Sequence, residues 1–174
     1  MTILVTGGTG TVGSHVTARL ASGGHDTRVL TRSPEKAAAL PVGAAGVVGS
    51  LSEPFSLAPA FEGVDRLFLL TPLAQDEVDQ GLAAVEAAKA AGVQRIVFMS
   101  VHQADQASHI PHFGSKVEIA RALERSGIPC TVIEPNSFYQ NDVGLQQPLM
   151  AFGVYPMPLG GAGLNRVDVR DIAD

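Results

Sequence analysis

Residues 3–13 read ILVTGGTGTVG, and this stretch decides the fold. It starts with three apolar residues that suit a short buried strand, and it continues through closely spaced glycines. After the glycines, Val12, Val16 and Leu20 recur at helical spacing, and a Gly-Gly pair ends the pattern. A strand, a tight turn and a helix in this order predict the first unit of a parallel sheet whose strands are joined by crossover helices.

The same alternation continues along the chain. Further apolar runs lie at residues 27–30, 47–48, 67–70, 96–99 and 130–133, and helical patterns lie at about 11–22, after Ser33-Pro34, at about 75–91 and from about 113 to Gly127. The apolar runs do not alternate polar with apolar residues, which is typical of strands covered on both faces. The sequence therefore predicts an α/β fold, a doubly wound parallel sheet (Rossmann fold) of about six strands with helices on both faces.

Composition excludes several classes of protein. The 174 residues are 45% hydrophobic and 17% charged, which suits one packed domain, and the net charge of −5 argues against a nucleic-acid surface. No apolar run approaches the roughly 20 residues that span a bilayer. The N-terminus lacks the basic lead of a secretory signal and Cys130 is the single cysteine, so we expect a cytoplasmic protein without a membrane partner. Three histidines crowd residues 102–112 without a nearby cysteine, and no metal site is predicted.

The glycine turn is a candidate phosphate site. A glycine at the strand end allows a tight turn, a second lets the backbone approach a pyrophosphate, and Gly13 lets the helix pack close to the sheet. The start of the helix adds free N–H groups and the positive end of its dipole. We therefore predict a dinucleotide site, and the alternative is a glycine-rich turn that binds nothing. The residues predicted to hold the dinucleotide are Gly7, Thr9, Gly10, Thr11, Val12 and Gly13.

The end of the second strand indicates which dinucleotide is preferred. An NAD site usually places an acidic residue there, whereas this chain has Thr31, Arg32 and Ser33. The planar guanidinium of Arg32 can hold a 2′-phosphate, with the two hydroxyls as supporting donors, so we expect NADP(H) to be preferred over NAD(H). The alternative for Arg32 is an exposed loop charge. Thr71 and Pro72 follow the fourth strand and are predicted to lie along the cofactor.

Several segments of the chain resemble the NmrA-like group, an atypical branch of the short-chain dehydrogenase/reductase superfamily. They are GGTG at residues 7–10, TRSP at 31–34, GVQRIVFMS at 92–100, GIPCTVIEPNSFYQN at 127–141 and VDVRDIAD at 167–174. That group includes redox-sensing regulators, quinone oxidoreductases and related NADPH-binding proteins. The resemblance implies that Ser50 lies near the adenine, where many relatives have Asp, and that Ser100 lies near the nicotinamide. Asn136, Phe138 and Tyr139 follow the sixth strand and are candidates for the nicotinamide or substrate wall.

The superfamily's usual catalytic pair, Tyr-x-x-x-Lys, is absent from this sequence. The matching segment is HFGSK at residues 112–116, so the pair becomes His112 and Lys116, one helical turn apart. By resemblance, Lys116 binds the nicotinamide ribose. A neutral imidazole at His112 can donate a hydrogen bond to a carbonyl or quinone oxygen and relay a proton. The alternatives are a histidine at a loop end and a solvated lysine on a helix.

Two functions of different classes, with a weaker third, follow from these features. The first is an NADPH-dependent reductase of small carbonyls or quinones, with Ser100, His112 and Lys116 as catalytic residues. The second is a non-catalytic NADP(H)-sensing regulator, and a sugar-nucleotide epimerase is the weaker third. We expect a small-molecule substrate, no direct contact with nucleic acid, and either a homodimer or a regulatory protein partner.

The last part of the chain differs in composition from the rest. We expect residues 1–145 to form the dinucleotide-binding Rossmann domain and residues 146–174 to begin a truncated substrate-binding region. Residues 146–163 are rich in Gly and Pro and are predicted to form a loop. Asp171 is predicted to cap a helix with only three residues behind it, so we expect the chain to be a fragment or a truncated form.

Overall fold

Eight strands are present in the computed structural model, which describes residues 1–157 and 163–174. They are β1 (Thr2–Thr6), β2 (Asp26–Thr31), β3 (Ala44–Val48), β4 (Arg66–Leu69), β5 (Arg95–Met99), β6 (Cys130–Ile133), β7 (Ser137–Phe138) and β8 (Arg166–Val167). The first six form one sheet in the order β3-β2-β1-β4-β5-β6, and every neighbouring pair in it is parallel. Strands β7 and β8 form a separate parallel pair. The predicted doubly wound parallel sheet of about six strands is confirmed.

Within the described residues, seven α-helices accompany the sheet. They are α1 (Gly13–Ser22), α2 (Pro34–Ala38), α3 (Ala58–Phe61), α4 (Glu77–Ala91), α5 (Pro111–Ser126), α6 (Gln146–Phe152) and α7 (Val169–Ala173). Short 3₁₀ segments lie at Pro54–Ser56 and Tyr139–Leu145. Helix α2 starts as its sequence predicts, because Ser33 accepts a hydrogen bond from the Lys36 N–H and Pro34 is the first helical residue.

The core has two parts, one on each face of the sheet. On one face, buried side chains such as Leu67 and Phe98 pack against Phe61 of α3 and Ile119 of α5. On the other face, strand residues pack against α1 and α7; this smaller cluster contains Val5, Val12, Val16, Val29, Phe68, Met99 and Val169. Apolar burial on both faces explains why the central strands read as unbroken apolar runs.

The strand order reverses between β1 and β4. Chain connections run outward from β1 through β2 to β3, and outward from β4 through β5 to β6. The loops that follow β1 and β4 therefore separate at the carboxyl edge of the sheet and leave a crevice. Thr6 holds the two strand ends together, because its hydroxyl donates to the Leu70 carbonyl at 2.8 Å and accepts from the Leu70 N–H at 2.8 Å.

The edge strands do not match the expectation of burial on both faces. Val48 on β3 is 53% exposed and Val132 on β6 is 41% exposed. Each of these strands has a sheet neighbour on one side only, so less of its surface is covered. The apolar sequence of an edge strand therefore does not reveal that it lies at the edge.

The structure also corrects the prediction for the last part of the chain. Residues 146–152 form α6 within the segment expected to be a loop, and the 3₁₀ segment Tyr139–Leu145 leads into it. Residues 158–162, which belong to the predicted loop, lie outside the described residues. Asp168, and not Asp171, caps α7, because its carboxylate accepts from the Arg170 N–H at 2.9 Å. No helix among the described residues is long and apolar enough to cross a membrane.

Candidate functional site

The glycine turn after β1 is shaped by contacts that only glycine permits. Gly7 has a φ of +64°, and the Gly10 N–H donates to its carbonyl at 2.9 Å. A Cβ on Gly13 would lie 2.2 Å from the Gly7 oxygen, so the start of α1 packs directly on the turn. Val12 precedes α1 and no side chain caps the helix there. The N–H groups of Ser14 and His15 donate to the Gly10 and Val12 carbonyls, whereas those of residues 11–13 make no hydrogen bond with any described residue and remain available to an anion.

A groove of about 300 Å³ runs along this turn and across the ends of β2 and β3. We call it the glycine-loop groove; its lining includes Thr6, Gly7, Thr9, Thr31, Arg32, Ser33, Lys36, Ser50 and Pro72. The predicted residues Gly7, Thr9, Arg32, Ser50 and Pro72 therefore meet in one groove. Gly10, Thr11, Val12 and Gly13 form the turn and the start of α1 beside it.

One end of the glycine-loop groove carries two cations, Arg32 and Lys36. Arg32 makes no salt bridge with any residue that the structure describes, and Lys36 extends from the first turn of α2. The Ser33 hydroxyl donates to the Glu35 carboxylate at 2.7 Å, so its proton is already used and it is not a free donor. Sequence reasoning missed Lys36, although its position four residues after Arg32 and behind a helix cap was a usable signal.

A second cavity of about 480 Å³ lies along the same segment as the groove, because Thr71 and Leu73 line this cavity while Leu70 and Pro72 line the groove. We call it the helix-start pocket, because it lies beside the first turns of α4 and α5. It brings together the predicted residues Thr71, Ser100, His112, Lys116, Asn136 and Phe138. Tyr139, the other predicted wall residue, is 54% exposed and does not line this pocket; the Arg166 guanidinium lies 5.1 Å from the centre of its ring.

Glu77 joins the predicted site residues into one hydrogen-bonded cluster. It is the first residue of α4, and its side chain is fully buried. Its Oε1 accepts from the Thr71 hydroxyl at 2.7 Å and lies 2.9 Å from Nζ of Lys116, while its Oε2 lies 2.6 Å from Nδ1 of His112. Lys116 Nζ also donates to the Thr71 hydroxyl at 2.7 Å. Sequence reasoning missed Glu77, because an acid at the start of a helix is common and nothing links it to His112, 35 residues later.

The electrostatics of Lys116 follow from its burial. Its side chain is 3% exposed, and Nζ lies 5.5 Å from the centre of the Phe98 ring. Burial lowers the pKa of the Lys116 ammonium, and the Glu77 carboxylate offsets part of that decrease. Lys116 is therefore a paired, buried cation, and the solvated lysine considered as the alternative is wrong.

His102, His109 and His112 are not brought together as metal ligands. Within residues 1–157 and 163–174, no three His, Cys, Asp or Glu side chains are placed to hold a metal ion. The ring of His112 lies edge-on to Phe113, with their centres 6.2 Å apart. The glycine-loop groove and the helix-start pocket together hold most of the predicted site residues and form the candidate functional site.

A parallel sheet with a glycine turn at its point of strand reversal defines a Rossmann-type α/β protein. Residues 1–174 match the model of the NmrA-like family, and the chain belongs to that family. The resemblance seen in the sequence motifs is therefore confirmed.

Two relatives show how the chain compares with longer proteins. NAD(P)H azoreductase of Xenophilus azovorans is 36% identical over 172 residues, which cover 98% of this chain and 60% of that protein. Photosystem II assembly factor Ycf39 of Trieres chinensis is 36% identical over 149 residues, which cover 80% of this chain and 47% of that protein. The chain thus spans less than two thirds of the length of both relatives.

A solved structure extends the comparison to a protein with a bound cofactor. The NADPH-dependent quinone oxidoreductase of Escherichia coli, complexed with NADPH, superposes with a TM-score of 0.87 at 26% identity. The match covers 98% of this chain and 62% of that one. The whole described fold therefore has a counterpart in an NADPH-bound reductase.

Proposed function

We propose that this chain binds NADP(H) in the glycine-loop groove and reduces a small carbonyl, quinone or similar acceptor in the helix-start pocket. The observation that carries this proposal is that both cavities lie along the segment of residues 70–73. A dinucleotide laid along the groove would bring its nicotinamide to that segment, beside His112 and Lys116. The azoreductase and quinone oxidoreductase relatives support a reductase of this general kind.

The protein's own residues suit the phosphates of such a cofactor. The uncapped start of α1 offers N–H groups to a pyrophosphate, and Gly13 lets the backbone come close. Arg32 and Lys36 offer two positive charges at the other end of the groove, where a 2′-phosphate distinguishes NADP(H) from NAD(H). Among the residues that the structure describes, no acidic side chain lines the groove to compete with that phosphate.

Binding measurements on single variants test the cofactor preference. We expect Arg32→Ala to weaken NADPH binding about tenfold or more and NADH binding little, since hydrogen bonds to charged groups contribute about 1.5–3 kcal/mol. Lys36→Ala should act in the same direction. Arg121→Ala is the control, because Arg121 is an exposed arginine on α5 outside the groove. If Arg32→Ala weakened the binding of NADPH and of NADH equally, the proposed preference for NADP(H) would be contradicted.

The helix-start pocket supplies the groups for the chemistry. When bound, NADPH supplies a hydride, and the chain must place the acceptor and deliver one proton. His112 is the proposed proton donor, Lys116 the proposed ribose ligand, and Ser100 and Asn136 line the wall beside them. NADPH consumption with azo, quinone and aldehyde acceptors tests this, with His112→Ala as the variant and the exposed His109→Ala as the control. Failure to turn over any acceptor would overturn the reductase.

A non-catalytic NADP(H) sensor is the second candidate, and the missing Tyr-x-x-x-Lys pair favours it. A sensor must respond differently to NADP⁺ and NADPH, because a ligand that binds two states equally shifts neither. Thermal unfolding with each form, together with a search for a differential protein partner, would distinguish it from the reductase. Equal responses with rapid turnover would exclude the sensor.

The division of the chain remains part of the proposal. Residues 1–145 carry both groups of candidate residues, and residues 146–174 contribute Leu164 to the helix-start pocket. Val169 of α7, however, packs into the core beside α1. We propose that the last part of the chain contributes to the substrate pocket through Leu164, while Val169 holds it to the dinucleotide-binding domain. Cytoplasmic location and a homodimer or regulatory partner stay predictions.

A further inference from the structure

The buried carboxylate of Glu77 contacts both members of the His112 and Lys116 pair. One oxygen, Oε2, lies 2.6 Å from Nδ1 of His112, and the other, Oε1, lies 2.9 Å from Nζ of Lys116. Thr71 completes the set, because its hydroxyl accepts from Lys116 and donates to Glu77. If the Glu77 carboxylate and the Lys116 ammonium are both charged, each hydrogen bond in this cluster joins a donor to an acceptor.

The position of Glu77 in its helix stabilises the carboxylate. Glu77 is the first residue of α4, where the helix dipole favours negative charge. Its side chain is fully buried, so solvent does not compete for its oxygens. A charge this deeply buried needs partners, and Lys116 supplies the opposite one.

This arrangement determines which nitrogen of His112 carries a proton. An ionised carboxylate only accepts hydrogen bonds, so Nδ1 of His112 must be the donor. The side chain of His112 is 26% exposed and lines the helix-start pocket, and its Nε2 makes no hydrogen bond with any described residue. In the neutral ring, Nε2 is then an acceptor. The neutral donor expected from the sequence does not fit this geometry, so proton donation from Nε2 requires the imidazolium form.

We propose that Glu77 is the positioning residue for His112: it keeps a proton on Nδ1 and aims Nε2 at the acceptor, so that the imidazolium form donates its proton from Nε2. This inference rests on the proposed reductase. In the reduction of a carbonyl, the C=O π bond breaks, the carbon takes the hydride from NADPH, and the oxygen takes the proton from Nε2. NADP⁺ and a neutral His112 remain, and the Nδ1–H of that ring still donates to the Glu77 carboxylate.

The neighbouring charges agree with that role. The titratable groups around His112 are Glu77 from α4, Lys116 from the same helix and His102 from the loop after β5, which lines the same pocket. With Glu77 ionised, its charge cancels that of Lys116, so a protonated His112 is not left beside an uncompensated buried ammonium. Removal of the carboxylate would leave two cations together in a largely apolar pocket.

Glu77→Gln gives a sharp test, because the amide cannot satisfy both partners in the way the carboxylate does. The Lys116 ammonium and the Thr71 hydroxyl both donate, so the amide oxygen should turn to them and the NH₂ group should face Nδ1 of His112. Nδ1 then becomes an acceptor, and the proton moves to Nε2. Nitrogen NMR of ¹⁵N-histidine-labelled protein, with His112→Ala to assign the signals, should show Nδ1–H in the wild type and Nε2–H in the variant.

Kinetics supply the second measurement. In a hydrolase triad the wrong histidine tautomer lowers kcat about 10⁴-fold, and positioned proton transfer in general contributes about 10²–10⁴-fold. We expect Glu77→Gln to lower kcat about 100-fold and to leave KM for NADPH within about twofold. Glu86→Gln is the matched control, because Glu86 lies on the same helix with a side chain that is 71% exposed.

The outcomes separate the two proposals. If the tautomer changes but no acceptor is reduced, the positioning role stands and the reductase fails. If acceptors are reduced and His112 keeps Nδ1–H in Glu77→Gln, the positioning role is wrong. If Glu77→Gln does not fold, Glu77→Met with Lys116→Met removes both buried charges together, and Nε2–H should again appear. Persistence of Nδ1–H as the only form in that double variant would also overturn the inference.

Discussion

Gly13 lies so close to the carbonyl of Gly7 that a side chain has no room between them. A Cβ there would lie 2.2 Å from the Gly7 oxygen and 2.8 Å from Cα of Gly8. All the atoms it would meet belong to the backbone, so rotation of a side chain cannot relieve the clash. The close packing of the turn on the start of α1 therefore depends on the absence of a side chain at residue 13.

Gly13→Ala should separate the turn from α1. We expect a loss of about 1–3 kcal/mol in the free energy of unfolding, as for overpacked sites generally, and a loss of NADPH binding. Urea unfolding and calorimetric titration would measure the two effects. Gly144→Ala is the control, because a Cβ there meets nothing within 4 Å and its φ is not positive. Wild-type affinity in Gly13→Ala would show that the cofactor does not use this turn.

The local sequence reveals the role of some site residues and not of others. Gly7 and Gly13 could be predicted, because local spacing after a strand specifies both the turn and its ligand chemistry. Arg32 was found for the same reason, since it directly follows β2. Glu77 could not be found, because its role depends on α4 and α5 meeting at their first turns. That contact is a property of the packed molecule and has no signature in either helix alone.

Helices α4 and α5 pack through Gly81, and this contact sets the spacing of the candidate site. A Cβ on Gly81 would lie 2.4 Å from Cδ1 and from Cγ1 of Ile119, which is fully buried. Glu77 starts α4, and His112 and Lys116 lie in the first turns of α5. The small residue in α4 therefore allows the close approach that brings the buried cluster together.

Gly81→Ala should push the two helices apart. We expect a cost of about 1–3 kcal/mol in the free energy of unfolding, with a fall in any reductase activity. Ile119→Val should recover part of both losses in the Gly81→Ala background, although alone it costs about 0.5–1.5 kcal/mol. A double-mutant cycle by urea unfolding measures the coupling. If the changes in the free energy of unfolding caused by Gly81→Ala and Ile119→Val simply add, the helices do not meet at this pair.

Elements were predictable in proportion to their length and regularity. Helices α4 and α5 were placed to within about two residues, because repeated apolar positions and a following Gly mark them. The two-residue strand β7 was missed, since a pair of residues has no periodicity. Helix α6 was missed because nearby Gly and Pro residues dominate the composition of its segment.

At the scale of the molecule, Asp142 and Arg166 hold the last part of the chain to the segment that follows β6. The Arg166 guanidinium donates to both oxygens of Asp142, at 2.6 and 2.8 Å, and the Tyr155 hydroxyl donates to the same carboxylate at 2.7 Å. These contacts hold the pKa of Asp142 at about 2, below its ordinary 3.8, with the Arg166 hydrogen bonds as the largest cause.

The lowered pKa of Asp142 determines in which direction pH changes the stability of the fold. Because the folded state keeps Asp142 ionised, its contribution to stability is complete above pH 3.8 and is lost as the pH falls towards about 2. We expect Asp142→Asn to weaken protection of residues 139–157 against hydrogen exchange at pH 7, after correction for intrinsic rates. The difference from wild type should close between pH 3.8 and 2. A pH-independent difference would contradict this, and the exposed Asp105→Asn is the control.

The place of β1 in the sheet has a consequence for synthesis on the ribosome. This strand is made before the other five strands of its sheet yet lies at the centre, where Ile3 pairs with Thr27 on one side and with Arg66 on the other. At about 5–20 residues per second, several seconds separate the synthesis of β2 from that of β4. During that interval, one side of an apolar strand is an open edge, which is a template for wrong pairing with other nascent chains. The hazard ends only when residue 69 has left the exit tunnel, so a pause in translation before that point would favour aggregation.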